Sequence, residues 1–357
     1  MKKSNLFLKS ISLVLTLCMM LTLAACNSEP AKETAAPAAD NTAAAVETEA
    51  APKLEEPIQF NVTTSNALDS AFCVNLQKAY DAITERTNGD LTFVIYPSSQ
   101  LGSTTETLEQ MRAGAPIICS LGFDNIGDYV PKMQIASAPY VFNDTTEVQI
   151  LGASDWMKEV EQDMYAAGFA PLAYGSLGYR HFISSKPIDD ASSIKGMIVR
   201  MGNSSLAQNF ITVMGGNPTT SSWNDNYSSI QQGIFDACEA SAELLYNSSL
   251  YEVCDYLTLS GHFVTPTVLT MNTIWWDKLP EEYQQIVREE LTKGMANILA
   301  DMTEAEAGII ENFKAAGTTV IETDKSTFSA YVPELLEKLD LDAAEYDNIR
   351  AAIDAGK

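Results

Sequence analysis

Two stretches of this chain alternate short strand-like runs with amphipathic helical patterns, and that alternation limits the possible folds more than any other feature. Ile58 to Val62 is strand-like, and a helical pattern from Ala71 to Arg86 follows, with Phe72, Leu76, Ala79, Tyr80 and Ile83 on one face. Asn88-Gly89-Asp90 ends that helix. Leu91 to Tyr96 forms the next strand, Pro97 stops it, and Thr104 to Ala113 is helical again, closed by Gly114. A second series follows the apolar stretch Phe169 to Ala173 and a glycine-rich turn expected around Gly175 and Gly178. It holds a strand segment Tyr179 to Ser184, a strand Met197 to Met201, a helix near Leu206 to Met214, a strand near Gly216 and a helix Tyr227 to Gly233. This alternation predicts an α/β fold with a mainly parallel sheet covered by helices, because parallel neighbours need crossover connections. Phe263 to Asn272 returns as a β-rich run. Glu281 to about Ala315 is one helical pattern, on the order of 50 Å long, which suits a helix bracing two lobes.

The N-terminal segment has a different logic. Lys2, Lys3 and Lys9 precede an apolar run from Ile11 to Leu23, and Leu23-Ala24-Ala25-Cys26 follows. The run is short for a bilayer span, and small residues before a cysteine are the pattern cleaved when that cysteine is lipidated. Residues 1–25 are therefore expected to be a lipoprotein signal peptide and Cys26 the lipidated first residue of the mature chain. The domain then lies outside the cytoplasm, with its only membrane contact through the lipid. Residues 26–54 are rich in Ala, Glu, Thr and Pro without an aromatic, so they cannot offset chain entropy by burial and are expected to form a disordered tether.

The chain has 22 Lys plus Arg against 47 Asp plus Glu, a formal net charge of −25. That balance excludes nucleic acid as a partner and repels anions, so a site for an acid has to be built from locally placed cations. Arg200 lies in the otherwise apolar strand Lys195-Gly196-Met197-Ile198-Val199-Arg200-Met201, where a guanidinium is costly unless it meets a partner or water. Arg180 begins a preceding strand segment of the same region. Two such forks suit a carboxylate, and internal ion pairing with the chain's many acids is the competing explanation. Trp223, after Gly215-Gly216-Asn217-Pro218, is placed in a loop or at a strand end, as a pocket floor or as ordinary packing. Cys73, Cys119, Cys238 and Cys254 have no metal spacing; outside the cytoplasm they could form a disulfide, but most are expected to be small buried apolar residues. His181 and His262 sit in no metal or nucleophile motif, and no phosphate-binding glycine loop occurs, so no catalytic residue, cofactor or metal is indicated.

Five segments taken in order resemble the receptors of TRAP (tripartite ATP-independent periplasmic) transporters. They are Tyr96-Pro97-Ser98-Ser99-Gln100-Leu101-Gly102, Lys195 to Arg200, Pro218 through Trp223 to Tyr227, Gln231-Gln232-Gly233-Ile234-Phe235-Asp236, and Leu259-Ser260-Gly261-His262. The resemblance implies a two-lobe periplasmic-binding-protein-like fold of the Venus-flytrap type, with 55–177 plus 266–305 as lobe one and 178–265 plus 306–357 as lobe two. It implies a small organic acid as ligand and TRAP-type permease subunits as partners. Carried over residue by residue, the carboxylate-pairing arginine falls on Arg200, the upstream arginine on Arg180 and the pocket aromatic on Trp223, with lobe-one contacts near Asn66 and Phe123. The family's ligand-binding asparagine is replaced by Ala240, which implies a less polar wall and a ligand with an apolar or aromatic face. A receptor of an ATP-driven importer, a sensor subunit and an anchored surface hydrolase are the alternatives that fold alone leaves open.

Overall fold

The computed structural model describes residues 54–357, so the expected signal peptide 1–25, Cys26 and nearly all of the tether lie outside the described residues. The strands are β1 (Ile58–Thr63), β2 (Leu91–Tyr96), β3 (Ile117–Gly122), β4 (Phe169–Ser184), β5 (Ile198–Met201), β6 (Asn217–Thr220), β7 (Ala237–Ser241), β8 (Tyr256–Asn272) and β9 (Thr319–Ile321). They form one sheet in the order β2-β1-β3-β8-β4-β7-β5-β6, with β9 paired to β8.

This sheet is mixed, where the sequence predicted a mainly parallel one. The strand–helix series do make parallel pairs, β1 with β2 and β3, and β5 with β6 and β7. The difference comes from two long strands at the centre. β4 and β8 pair antiparallel with each other, and β3 and β7 flank them antiparallel. β8 adjoins the first series and β4 the second: the Thr267 to Met271 part of β8 pairs with β3, its Tyr256 to Thr258 part pairs with β9, and β4 pairs with β7.

The turn expected around Gly175 and Gly178 is also corrected, because β4 runs through both glycines. Gly175 lets the long helix approach, since a Cβ there would lie 2.5 Å from Met295 Cε. Gly178 takes φ +86°, a left-handed value glycine adopts without strain, where the β4–β8 register slips between Ser176 and Tyr179.

The long helix spans Glu281–Ala315, as the pattern predicted. Glu281 and Glu282 sit in its first turn and Lys314 in its last, each complementing the helix dipole. Its apolar stripe reaches two cores in turn. Leu291, Met295 and Ile298 pack with Phe60, Leu76 and Leu269, while Phe313 packs with Ile183, Cys238 and Leu257. The helix Ala343–Ala355 was expected with lobe two. It instead buries Ile349 and Ile353 against a core containing Leu121 and Phe169, and contacts the helices Pro131–Ile135, Glu147–Ala153 and Asp155–Ala166. Ion pairs fix it there: the fully buried Glu147 carboxylate meets Arg350 Nη1 at 2.5 Å and Lys357 Nζ at 2.7 Å. The four cysteines of the described residues are buried and unpaired.

Candidate functional site

In sheets of this kind ligands bind beyond the carboxyl ends of the parallel strands. Arg200 is the third residue of the four-residue β5, in register with Thr219 of β6 and Cys238 of β7. It is 8% exposed. Its Nη2 donates to the Ser221 carbonyl at 2.7 Å, its buried Nε has no partner, and no carboxylate forms an ion pair with it among the described residues. Burial, with a contribution from Arg180, lowers its pKa, and Glu239 partly opposes this. The guanidinium still stays charged at any physiological pH.

The Arg200 guanidinium carbon lies 5.2 Å from the centroid of the Trp223 ring, a cation–π arrangement. Trp223 opens a short 3-10 turn just after β6, and its Nε1 donates to Ser248 Oγ at 3.0 Å, which fixes the indole plane.

Arg180 behaves differently. On β4 it faces Glu239 of β7, donating from Nη2 to Oε1 at 2.7 Å and from Nε to Oε2, with a further bond from Nη2 to the Glu239 carbonyl at 3.2 Å. Internal ion pairing therefore accounts for one edge of this fork. Its Nη1 makes no hydrogen bond among the described residues, and 27% of the side chain is exposed, against 2% for Glu239. Burial alone would raise the pKa of Glu239. The Arg180 charge and bonds, with His262, outweigh that and hold it well below the usual carboxylate range.

Behind this pair lies His262, fully buried. Its ring stacks on Phe182 at 4.2 Å and 8°, Nδ1 meets Ser260 Oγ at 2.7 Å, and Nε2 approaches Glu239 Oε2 to 3.5 Å without completing a hydrogen bond. Burial pushes its pKa below the ordinary value of about 6.5 despite Glu239. A depressed imidazole contributes stability that is fully present above about pH 6.5 and is lost as pH falls from there towards the folded value, because the unfolded chain then binds the extra proton. The urea midpoint is thus expected to drop between pH 7.5 and 5.5, and His262→Gln to flatten that part of the profile. An equal drop in the variant would remove His262 as the cause.

The first-series contacts lie at the ends of β1 and β3. Asn66, half-buried in the loop after β1, donates from Nδ2 to Thr64 Oγ1 at 3.0 Å. Phe123 is fully buried and meets Tyr174 edge-on at 6.0 Å, so it packs a core. The polar group at that position is its neighbour Asp124, on which Ser204 and Arg180 act from the other series. Ala240 is also fully buried, in a cluster with Ile183, Cys238 and Phe313. The structure thus gathers Arg200, Trp223, Arg180 and Glu239, sets Asn66 and Asp124 on other strand ends, and leaves Phe123 and Ala240 in packing roles. Glu239, His262 and Asp124 had no assigned role in the sequence reading. A carboxylate inside the apolar run Ala237-Cys238-Glu239-Ala240 was a visible signal for the first, since a buried acid implies a buried cation. No group of three or more His, Cys, Asp or Glu arranged for a metal occurs among the described residues.

The chain is similar to known proteins over most of its described length. Residues 64–340 match the family model described as bacterial extracellular solute-binding protein, family 7. The 2,3-diketo-L-gulonate-binding periplasmic protein YiaO of Escherichia coli K12 is 25% identical over 276 residues, covering 77% of this chain and 84% of its own length. The sialic acid-binding periplasmic protein SiaP of Vibrio cholerae is 25% identical over 262 residues, covering 73% and 81%. Among solved structures, a TRAP periplasmic solute-binding protein of Actinobacillus succinogenes 130Z with bound L-galactonate is 29% identical. It superposes with a TM-score of 0.78 over 84% of this chain and all of that one. One from Pseudomonas putida F1 with bound D-glucuronate is 25% identical, with a TM-score of 0.76 over 84% and 97%.

Proposed function

The chain belongs to bacterial extracellular solute-binding protein family 7, and from that premise we propose that it captures a sugar acid or related carboxylate outside the cytoplasm and delivers it to a TRAP-type membrane permease. The family is one of receptors and not of enzymes. Similar proteins are named for 2,3-diketo-L-gulonate and sialic acid, and related structures hold L-galactonate and D-glucuronate, all acids with several oxygen substituents.

The observation that carries this reading is Arg200: a buried guanidinium with an unpartnered Nε, no ion pair among the described residues and an aromatic ring beside it. A buried donor left unpaired costs about 1–3 kcal/mol, and more when charged, so the site is complete only when an acceptor arrives from outside. In this reading Nη1 of Arg180 makes a second contact and Trp223 lies against the carbon skeleton. The two lobes are the β1–β3 and β5–β7 series, each with its share of β4 and β8, and the last helix goes with the first lobe. They bend where the β4–β8 register slips near Gly178 and Pro266. Cys26 anchors the receptor by lipid through the tether.

A thermal-shift screen over sugar acids and simple carboxylates tests the reading. A ligand at about 100 times its dissociation constant adds roughly 2.7 kcal/mol, or several degrees. A flat response to every acid would sink it.

A further inference from the structure

Resting on the receptor reading, we propose that Ser248 is a positioning residue for anion capture: through the indole N–H of Trp223 it holds the segment that aims the Arg200 guanidinium. That segment touches Arg200 twice. Nη2 of Arg200 donates to the Ser221 carbonyl at 2.7 Å, and the guanidinium carbon lies 5.2 Å from the centroid of the Trp223 ring. Ser221 and Ser222 belong neither to β6 nor to the turn Trp223–Asp225, so no sheet or helix ladder fixes them. Among the described residues Trp223 makes one side-chain hydrogen bond, from Nε1 to Ser248 Oγ at 3.0 Å, and that oxygen has no other partner. The ring also rests on a cluster containing Ile230 and Leu250. Apolar packing is non-directional and accepts a ring turned over, whereas the bond from Nε1, the only donor of the indole, selects one orientation.

The anchor is itself well seated. Ser248 follows the helix Ala242–Asn247, and Ser249 after it holds a left-handed φ of +56°, a conformation that costs a residue with a Cβ and persists only where its surroundings impose it. Here Ser249 N–H donates to the Tyr246 carbonyl at 2.8 Å. Tyr246 stacks on Tyr251 with centroids 4.8 Å apart, and both meet Phe313 of the long helix edge-on, at 5.1 and 6.3 Å. A second tie runs beside the first, from Tyr227 Oη to Glu252 Oε2 at 2.8 Å. The long helix thus holds the stretch 246–252, that stretch holds Trp223, and Trp223 with Ser221 holds the guanidinium. Without the Ser248 bond the binding-competent arrangement of the segment becomes one among several, and apparent affinity falls with the fraction that remains competent.

The test is a double-mutant cycle read by titration calorimetry with D-glucuronate, L-galactonate and the acid that leads the thermal-shift screen. Ser248→Ala is expected to weaken binding about fivefold, the factor that one neutral hydrogen bond is worth. In a Trp223→Phe background, which has no indole N–H at that position, the same substitution is expected to cost nothing further. The four tryptophans also give indole N–H resonances, and the one that disappears in Trp223→Phe is expected to shift in Ser248→Ala while the others stay in place. Unchanged affinity in Ser248→Ala would overturn the proposal. So would an undiminished loss in the Trp223→Phe background, which would make Ser248 a structural residue acting by another route. Either result leaves the receptor reading intact, whereas a wild-type protein that binds no acid at all would remove that reading itself.

Discussion

Arg200→Ala is expected to weaken carboxylate binding by at least a hundredfold while leaving the ligand-free protein as stable as before or more so. Two charge-assisted hydrogen bonds from one guanidinium are worth about 1.5–3 kcal/mol each. Losing both removes about 3–6 kcal/mol, and each 1.4 kcal/mol is a factor of ten in affinity. The two halves of the prediction have different causes. Affinity falls because the fork is gone. Stability does not, because among the described residues Arg200 has one hydrogen bond, to Ser221, and a buried Nε without a partner. Titration calorimetry with whichever acid leads the thermal-shift screen, together with the melting temperature of the ligand-free variant, checks both. Unchanged affinity would show that the anion sits elsewhere. A large drop in ligand-free stability would mean Arg200 is a structural cation after all.

Glu239→Ala is expected to do the reverse, destabilising the fold by about 3–5 kcal/mol. Removing one partner of a buried pair leaves the other charge uncompensated, and here the orphan is Arg180, whose Nε loses its acceptor and whose Nη2 keeps only the 3.2 Å bond to the backbone carbonyl of residue 239. For a chain of this size that corresponds to a fall of roughly 6–15 °C in melting temperature. The pair also sets an acid limit. A carboxylate whose folded pKa is depressed contributes stability that is complete above its unfolded value, about 4.3, and is lost as pH falls further below it. Scanning the melting temperature against pH should show the wild-type and Glu239→Ala curves converging below about pH 4. Parallel curves would put the variant's cost down to lost packing and not to charge.

The strand–helix series and the long helix were legible in the sequence because they rest on periodicity within one segment, as the stripe of Leu291, Met295 and Ile298 shows. Sheet direction was not, because it depends on which strand lies beside which. Nothing local in Phe169 to Ser184 says that its neighbour is Tyr256 to Asn272, or that a run holding Gly175 and Gly178 stays extended. The placement of the last helix was hidden for the same reason: Ile349 and Ile353 declare an apolar face, but not which core receives it.

At the site, the oddity of Arg200 was readable from one strand, since a cation among apolar residues is conspicuous wherever it goes. Arg180 needed its partner. Only the pairing of β4 with β7 sets it opposite Glu239, so sequence left open a choice between ligand contact and ion pair that the fold resolves by giving it one bonded edge and one free nitrogen.

The two central strands also govern the order in which the molecule can assemble. During synthesis β3 emerges early, but the residues that cover its edge, Thr267 to Met271, appear only after the whole second series has been made. Until then a bare strand edge is open to pairing with other chains, and the first series cannot close by itself.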